Sequence, residues 1–191
     1  MMEIETPKIE VEESEDRSYA KIVVEPLEKE FGLTLGNALR RILLSALPGI
    51  AIQNVKFSED LAIKHEFSSI PKVKEDVTEI ILNLKCVAFK TTCMDKEYTK
   101  NIKLVKEGPA VFKAGDIMCE ADLEVLNPDQ YICTIDEGGM IDVDLTVGRG
   151  RGYQGADEHK TDIIDNIAID SIYTPVKKVS YNVTATRVGQ S

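Results

Sequence analysis

Tryptophan is absent from this 191-residue chain, histidine occurs only as His65 and His159, and the four cysteines, Cys86, Cys93, Cys119 and Cys133, form no C-x-x-C pair. Neither a zinc site nor a disulfide framework has its usual ligand spacing, so reduced thiols, no metal and no cofactor are expected. No apolar run is long enough to span a bilayer, and Met1-Met2-Glu3-Ile4-Glu5 lacks the basic and apolar regions of a signal peptide. The expected location is therefore cytoplasmic, away from membranes. Positive charge is also scarce, with 23 Lys and Arg against 33 Asp and Glu, a formal net charge of -10. Gripping a phosphate backbone requires clustered Lys and Arg, so any contact with DNA is expected to be indirect.

Apolar residues make up 43% of the chain, enough for a globular core in one or two domains. The most informative segment runs from Leu33 to Gly49. Leu35, Leu39, Ile42, Leu43 and Ala46 fall on one stripe of a 3.6-residue wheel, which predicts an amphipathic helix stopped by Pro48-Gly49. Across from that stripe Leu44 lies between the directions of Arg40 and Arg41, with Asn37 beside it. An apolar side chain flanked by arginines suits a protein interface better than a solvated helix face.

A second helix is predicted near Asp76 to Lys85, where Val77, Ile80, Ile81 and Leu84 recur at helical spacing behind acidic Glu75 and Asp76. The remainder reads mostly as β-structure. Tyr19 to Val24 is β-branched, Ile50 to Phe57 is extended, Ile141, Val143, Leu145 and Val147 alternate with polar residues, and Val179, Tyr181, Val183 and Ala185 alternate again. Gly138-Gly139 suggests a hairpin joining Tyr131–Ile135 to the 141–147 strand. The aspartates Asp142 and Asp144 share the solvent face of that strand, a simpler reading than metal binding. Gly148-Arg149-Gly150-Arg151-Gly152-Tyr153 is read as a turn or loop tip. His65-Glu66 has no nucleophile or third partner at a recognisable spacing, so no catalytic residue is assigned.

Several blocks together carry a family resemblance. Glu25-Pro26-Leu27-Glu28, Phe31-Gly32 followed by Thr34 to Ser45, His65-Glu66-Phe67-Ser68, Glu75 to Lys85, Gly148 to Tyr153 and Asp170 to Val176 occur in order and at similar spacing. This pattern resembles the amino-terminal domain of the bacterial DNA-directed RNA polymerase alpha subunit. The resemblance implies an α+β fold with a dimerisation subdomain, 1–49 and 174–191, built from both chain ends around an inserted mostly β subdomain, 50–173. It also implies a non-catalytic assembly subunit that forms a homodimer and scaffolds the beta and beta-prime subunits. No segment supplies the dense aspartate cluster that polymerase chemistry requires, so the chain has no active site of its own.

Carried over residue by residue, the resemblance assigns Arg40, Arg41, Leu44, His65 and Glu66 to the beta-facing surface and Lys85, Ile169 and Thr174 to the beta-prime-facing one. Leu35, Leu39, Ile42, Leu43 and Ala46 would form the dimer interface. Three departures stand out: Glu30 and Lys72 occupy positions where the family usually has glycine, and Phe57 to Lys64 is longer than the family's turn. Reshaped loops are expected there. The family continues beyond the equivalent of Arg187-Val188-Gly189-Gln190 with a second dimerisation helix. The chain is therefore expected to be either an excised fragment or a shortened homologue of such a subunit, with a monomeric module that binds polymerase subunits without completing assembly as the alternative function.

Overall fold

The computed structural model describes residues 6–61, 63 and 67–185. Chain contacts divide it into two compact units, one comprising Met1–Ile42 with Lys178–Ser191 and the other Leu43–Lys177. In the first unit, strands β1 (Lys8–Glu13) and β2 (Ala20–Glu25) pair antiparallel from Lys8 opposite Glu25 to Glu13 opposite Ala20. The connecting turn is organised by Asp16, whose carboxylate accepts bonds from the Ser14 hydroxyl at 2.7 Å and from the Ser18 amide at 3.1 Å. These donors, led by the Ser14 and Ser18 hydroxyls, lower its pKa to about 2.

Helix α1 (Phe31–Ser45) follows the periodicity of the sequence. In the first unit an extended segment is laid along it. Gly32 and Gly36 face Val183 and Tyr181, so that a Cβ at Gly36 would overlap the Tyr181 ring, and Arg40 Nε donates to the Val179 carbonyl at 3.3 Å. Four helical residues advance about 6 Å, and two extended residues about 6.6 Å, so steps of four on the helix keep pace with steps of two along the segment. The alternating residues 179–185 were expected to form a strand. Among the described residues they enter no ladder; Tyr181 and Val183 instead lie against the helix glycines, and Val179 offers its carbonyl to Arg40.

The second unit contains β3 (Pro48–Phe57), α2 (Val77–Leu84), β4 (Phe89–Thr91), β5 (Thr99–Glu107), β6 (Ala110–Lys113), β7 (Leu123–Val125), β8 (Tyr131–Ile135), β9 (Met140–Arg151), β10 (Tyr153–Gln154), β11 (Asn166–Ala168) and β12 (Ser171–Ile172). The main sheet has the order β5-β9-β3-β4-β7, with β11 paired on β3. Its core comes from alternation: Ile141, Val143, Leu145 and Val147 of β9 are buried with Ile102 and Leu104 of β5 and Val55 and Phe57 of β3. Asp142 and Asp144 share the opposite, more solvated face of the strand. Helix α2 lies where the sequence places it. Asp76 caps it by accepting the Glu79 amide at 2.8 Å, and Val77, Ile80, Ile81 and Leu84 are all buried. Among the described residues, no helix is long and apolar enough to cross a membrane.

Two further sequence expectations need correction. Strand β8 does not form a hairpin with β9. It pairs with β6, from Ala110 opposite Ile135 to Lys113 opposite Tyr131, while both edges of β9 are taken by β5 and β3. A turn does occur between them, with Gly138 at φ 79° and the Gly139 amide donating to the Asp136 carbonyl, but it passes the chain from one sheet to another. The glycine-arginine block is likewise not a loop tip. Gly148 to Arg151 completes the ladder between β9 and β3, and only Gly152, at φ 59°, is a turn residue. The strand period separates the two residue types. A Cβ at Gly150 would overlap the Tyr173 ring, while Arg149 on the opposite face donates to the Cys93 and Asp95 carbonyls.

The two departures from glycine have a backbone consequence. Glu30 lies at φ 71° and Lys72 at φ 61°, the left-handed region that disfavours a Cβ. Both loops thus keep a conformation suited to glycine despite carrying a larger residue. The left-handed penalty is roughly 1–2 kcal/mol per residue, and glycine gives back roughly 0.5–1 kcal/mol as extra entropy lost on folding. Glu30→Gly and Lys72→Gly should therefore each stabilise the chain by about 0.5–1 kcal/mol. Urea midpoints would test this, and an unchanged or lowered midpoint for both would show that neither position is strained.

Candidate protein interface

Helix α1 is amphipathic, yet among the described residues none of its fifteen is buried. Leu35 and Leu43 of the expected dimer stripe are half-buried, as is Ala46 just beyond the helix, whereas Leu39 is 43% and Ile42 49% exposed. An isolated exposed leucine needs no explanation, but adjacent positions of one helical stripe left open are a surface in want of a cover. On the other face Arg40 and Arg41 are exposed and Leu44 is half-buried. Arg40 is held by the Val179 carbonyl, which gives its guanidinium a defined direction.

The end of this helix is closed by the second unit's own residues. The Thr174 hydroxyl donates to the Leu43 carbonyl at 2.8 Å, Arg151 Nη1 donates to the Ala46 carbonyl at 3.3 Å, and the Gly152 amide donates to the Leu47 carbonyl at 3.1 Å. A cation and donors at a helix C-terminus satisfy carbonyls that have no partner within the helix. Thr174, expected at a subunit contact, thus has a local structural task as well.

Lys85 and Ile169 are brought near each other by a residue the sequence analysis did not single out. Asp170 Oδ2 lies 3.4 Å from Lys85 Nζ, and its Oδ1 accepts the Ala156 amide at 2.8 Å. Ile169 is only 2% exposed and belongs to the core, so its side chain anchors this strand-end and offers little surface of its own. Ser171, buried on the other side of Asp170, donates to the Ile52 carbonyl at 2.7 Å. The alternation of buried Ile169 and Ser171 around Asp170 is the sequence signal that an outward carboxylate stands there. Next to it Tyr173 is buried, with its hydroxyl accepting Gln53 Nε2 at 2.9 Å and lying 3.4 Å from His159 Nε2. Burial lowers the His159 pKa, against the opposing pull of Glu158 and Asp170.

Of the other expected site residues, His65 and Glu66 lie outside the described residues. Their neighbour Phe67 is 75% exposed. Among the described residues no group of three or more His, Cys, Asp or Glu is arranged to hold a metal ion. Cys133 is buried and its thiol pKa is raised to about 12 by desolvation and the nearby Glu75 charge, which disfavours the reactive thiolate. What the described geometry offers is oriented arginine, exposed aliphatic stripe and a carboxylate-lysine cluster, the chemistry of recognition between proteins.

Asp170 sets a pH dependence. The Ala156 amide first and the Lys85 charge next hold its pKa below the ordinary 3.8, against the raising effect of burial. A depressed folded-state pKa stabilises the fold fully above the ordinary carboxylate value, and this contribution is lost as pH falls through the depressed value. The melting-temperature difference between the native chain and Asp170→Asn should therefore be largest near pH 6 to 7 and shrink as pH falls below 3.8. A difference that stays constant over that range would remove Asp170 from the acid response.

Comparison with known proteins places these features in a family. The model of the family described as the RNA polymerase Rpb3/RpoA insert domain matches residues 50–174. The DNA-directed RNA polymerase subunit alpha of Desulforamulus reducens is 53% identical over 193 residues, covering 100% of this chain and 59% of the relative. The proteins of the same name from Alkaliphilus metalliredigens and Clostridium botulinum are each 52% identical with the same coverage. The chain thus spans 59% of the length of these curated relatives. With its insert region matched throughout and its full length similar to bacterial alpha subunits, the chain belongs to the RNA polymerase Rpb3/RpoA insert-domain family.

Proposed function

We propose that this chain is a non-catalytic assembly subunit of DNA-directed RNA polymerase, acting in the cytoplasm as a homodimer that positions the beta and beta-prime subunits, with DNA contacted only indirectly. The observation that carries the reading is the open stripe of α1, in which Leu39 and Ile42 remain close to half exposed on a helix whose periodicity is that of a core element. A second copy covering the stripe would bury that remainder, worth about 1 kcal/mol for each of these two side chains. Arg40, Arg41 and Leu44 on the other face then form the beta contact together with His65 and Glu66. Lys85 and Thr174, with Ile169 behind them, form the beta-prime contact.

Arginine suits this role because its planar guanidinium meets carboxylates and carbonyls in two directions and is less strongly hydrated than an ammonium group. Leucine beside it supplies the apolar anchor that a fully desolvated contact needs. The mechanism is positional. Two identical chains present the same surfaces in two orientations, and each large subunit occupies one of them, so that catalytic chains are brought together by buried area.

Two pairs of substitutions separate the parts of this reading. Leu39→Glu with Ile42→Glu should halve the mass measured by light scattering, and a native chain already monomeric at micromolar concentration would favour the monomeric interaction module. Arg41→Ala with Leu44→Ala should leave the mass unchanged and lower recovery of beta subunit on co-expression about tenfold or more, a loss of at least roughly 1.4 kcal/mol. Equal recovery from a folded double variant would remove those two residues from the contact.

A further inference from the structure

The second unit contains a buried carboxylate that none of the assignments above uses. Glu75 is 7% exposed, the one acidic residue among the buried residues described. Its Oε1 accepts the Tyr131 hydroxyl, its Oε2 accepts the Thr134 amide at 2.9 Å, and the Tyr131 hydroxyl lies 2.6 Å from Thr134 Oγ1. A carboxylate withdrawn from water is tolerated only where such donors replace its hydration. Here they come from β8, while Glu75 itself sits at the end of the loop that precedes α2.

That loop is fastened to β8 in steps. The Asp136 amide donates to the Lys72 carbonyl at 2.7 Å, Val73 forms an isolated bridge with Ile135, and the Lys74 amide donates to the Thr134 carbonyl at 3.0 Å. Ile70 is buried beneath, and the Val77 amide returns to the Ser68 carbonyl at 3.0 Å. The far end is pinned independently: Asn83 Nδ2 of α2 donates to the Ile132 carbonyl at 2.8 Å. Within the described 67–75 loop the ties to β8 run through backbone groups except at Glu75, whose side chain stands between a loop that leads back to exposed Phe67 and a helix already held at both ends.

We propose that Glu75 is a positioning residue for a protein contact: through Tyr131 and Thr134 it holds the 67–75 loop, with Phe67 and the left-handed Lys72, in the conformation that the beta subunit recognises. The proposal rests on the beta-binding reading above and extends it to a residue that never touches the partner. Carboxylate removal would leave the Thr134 amide without its acceptor and release the loop from one side of β8, whereas α2 would keep its Asp76 cap, its buried face and the Asn83 tie. Glutamine retains an oxygen for the Thr134 amide and an amide group for the Tyr131 oxygen. It should restore most of the arrangement.

The test uses the whole chain in two measurements. In Glu75→Ala, hydrogen exchange at the Thr134 and Lys74 amides should accelerate about tenfold or more while amides of α2 and β9 keep their protection, and beta recovery on co-expression should fall about tenfold. Glu75→Gln should recover most of both. Loosened amides with undiminished beta recovery would overturn the proposal, as would glutamine failing to rescue. Should Glu75→Ala not fold, Tyr131→Phe decides by the same two measurements. Arg41→Ala with Leu44→Ala serves as the control: if it abolishes beta recovery while the Glu75 variants do not, only the positioning role fails. A native chain that recovers no beta subunit overturns the binding reading and this proposal together.

Discussion

Strand β9 is paired along both edges, with β5 on one side and β3 on the other, and its four inward residues, Ile141, Val143, Leu145 and Val147, are each 2% exposed or less. Because side chains alternate with a period of two, a one-residue slip would turn those four outward and bring Asp142 and Asp144 into the core. Register is therefore enforced by the large penalty for burying unpaired carboxylates. Much of the second unit follows from it. The same ladder runs on to Arg149 and Arg151, aiming one guanidinium at the Cys93 and Asp95 carbonyls and the other at the Ala46 carbonyl. It also places Gly150 beneath the Tyr173 ring, where a larger residue would not fit.

The units differ in how they satisfy their apolar residues. The second has a contiguous core in which α2, β8 and the main sheet close over one another. In the first, β1 and β2 pair correctly and yet Ile9, Val11 and Ile22 stay more than half exposed, as do Phe31 and Leu33 at the start of α1. Sheet pairing and helix formation satisfy backbone groups without supplying a hydrophobic cover. A secondary structure element formed this way but left open is what association with another chain would complete, and this links the packing to the proposed scaffold role.

Much of this was legible in residue order. Helices α1 and α2 were readable because 3.6-residue periodicity coincides with a stop signal in one case and an acidic cap in the other. The alternation of β9 was equally clear. The wrong partner for β8 has a simple origin: Gly138-Gly139 specifies that the chain turns, but a turn does not state whether the next strand returns beside the last one or joins another sheet. Similarly, glycines at 148 and 150 looked like loop residues, since the Gln53 side chain and the Tyr173 ring that lie against them are each more than twenty positions away in the chain. At the candidate interface the stripe and the Arg40, Arg41 and Leu44 face were readable as a helical wheel. Asp170 was not singled out, and Glu75 was read only as a charge at the start of α2, because the partners of both are distant in sequence.

Local order alone thus determined where helices form, which strand faces are apolar, and the family to which the chain belongs, since each rests on short-range periodicity or on ordered motifs. Tertiary structure decided which strands pair, that Ile169 is a core residue behind a charged neighbour, and that Glu75 is enclosed by Tyr131 and Thr134. The physical reason is range. Periodicity is imposed by backbone geometry over a few residues, whereas burial of a carboxylate or fit of a glycine against a ring depends on what the folded chain brings from far away.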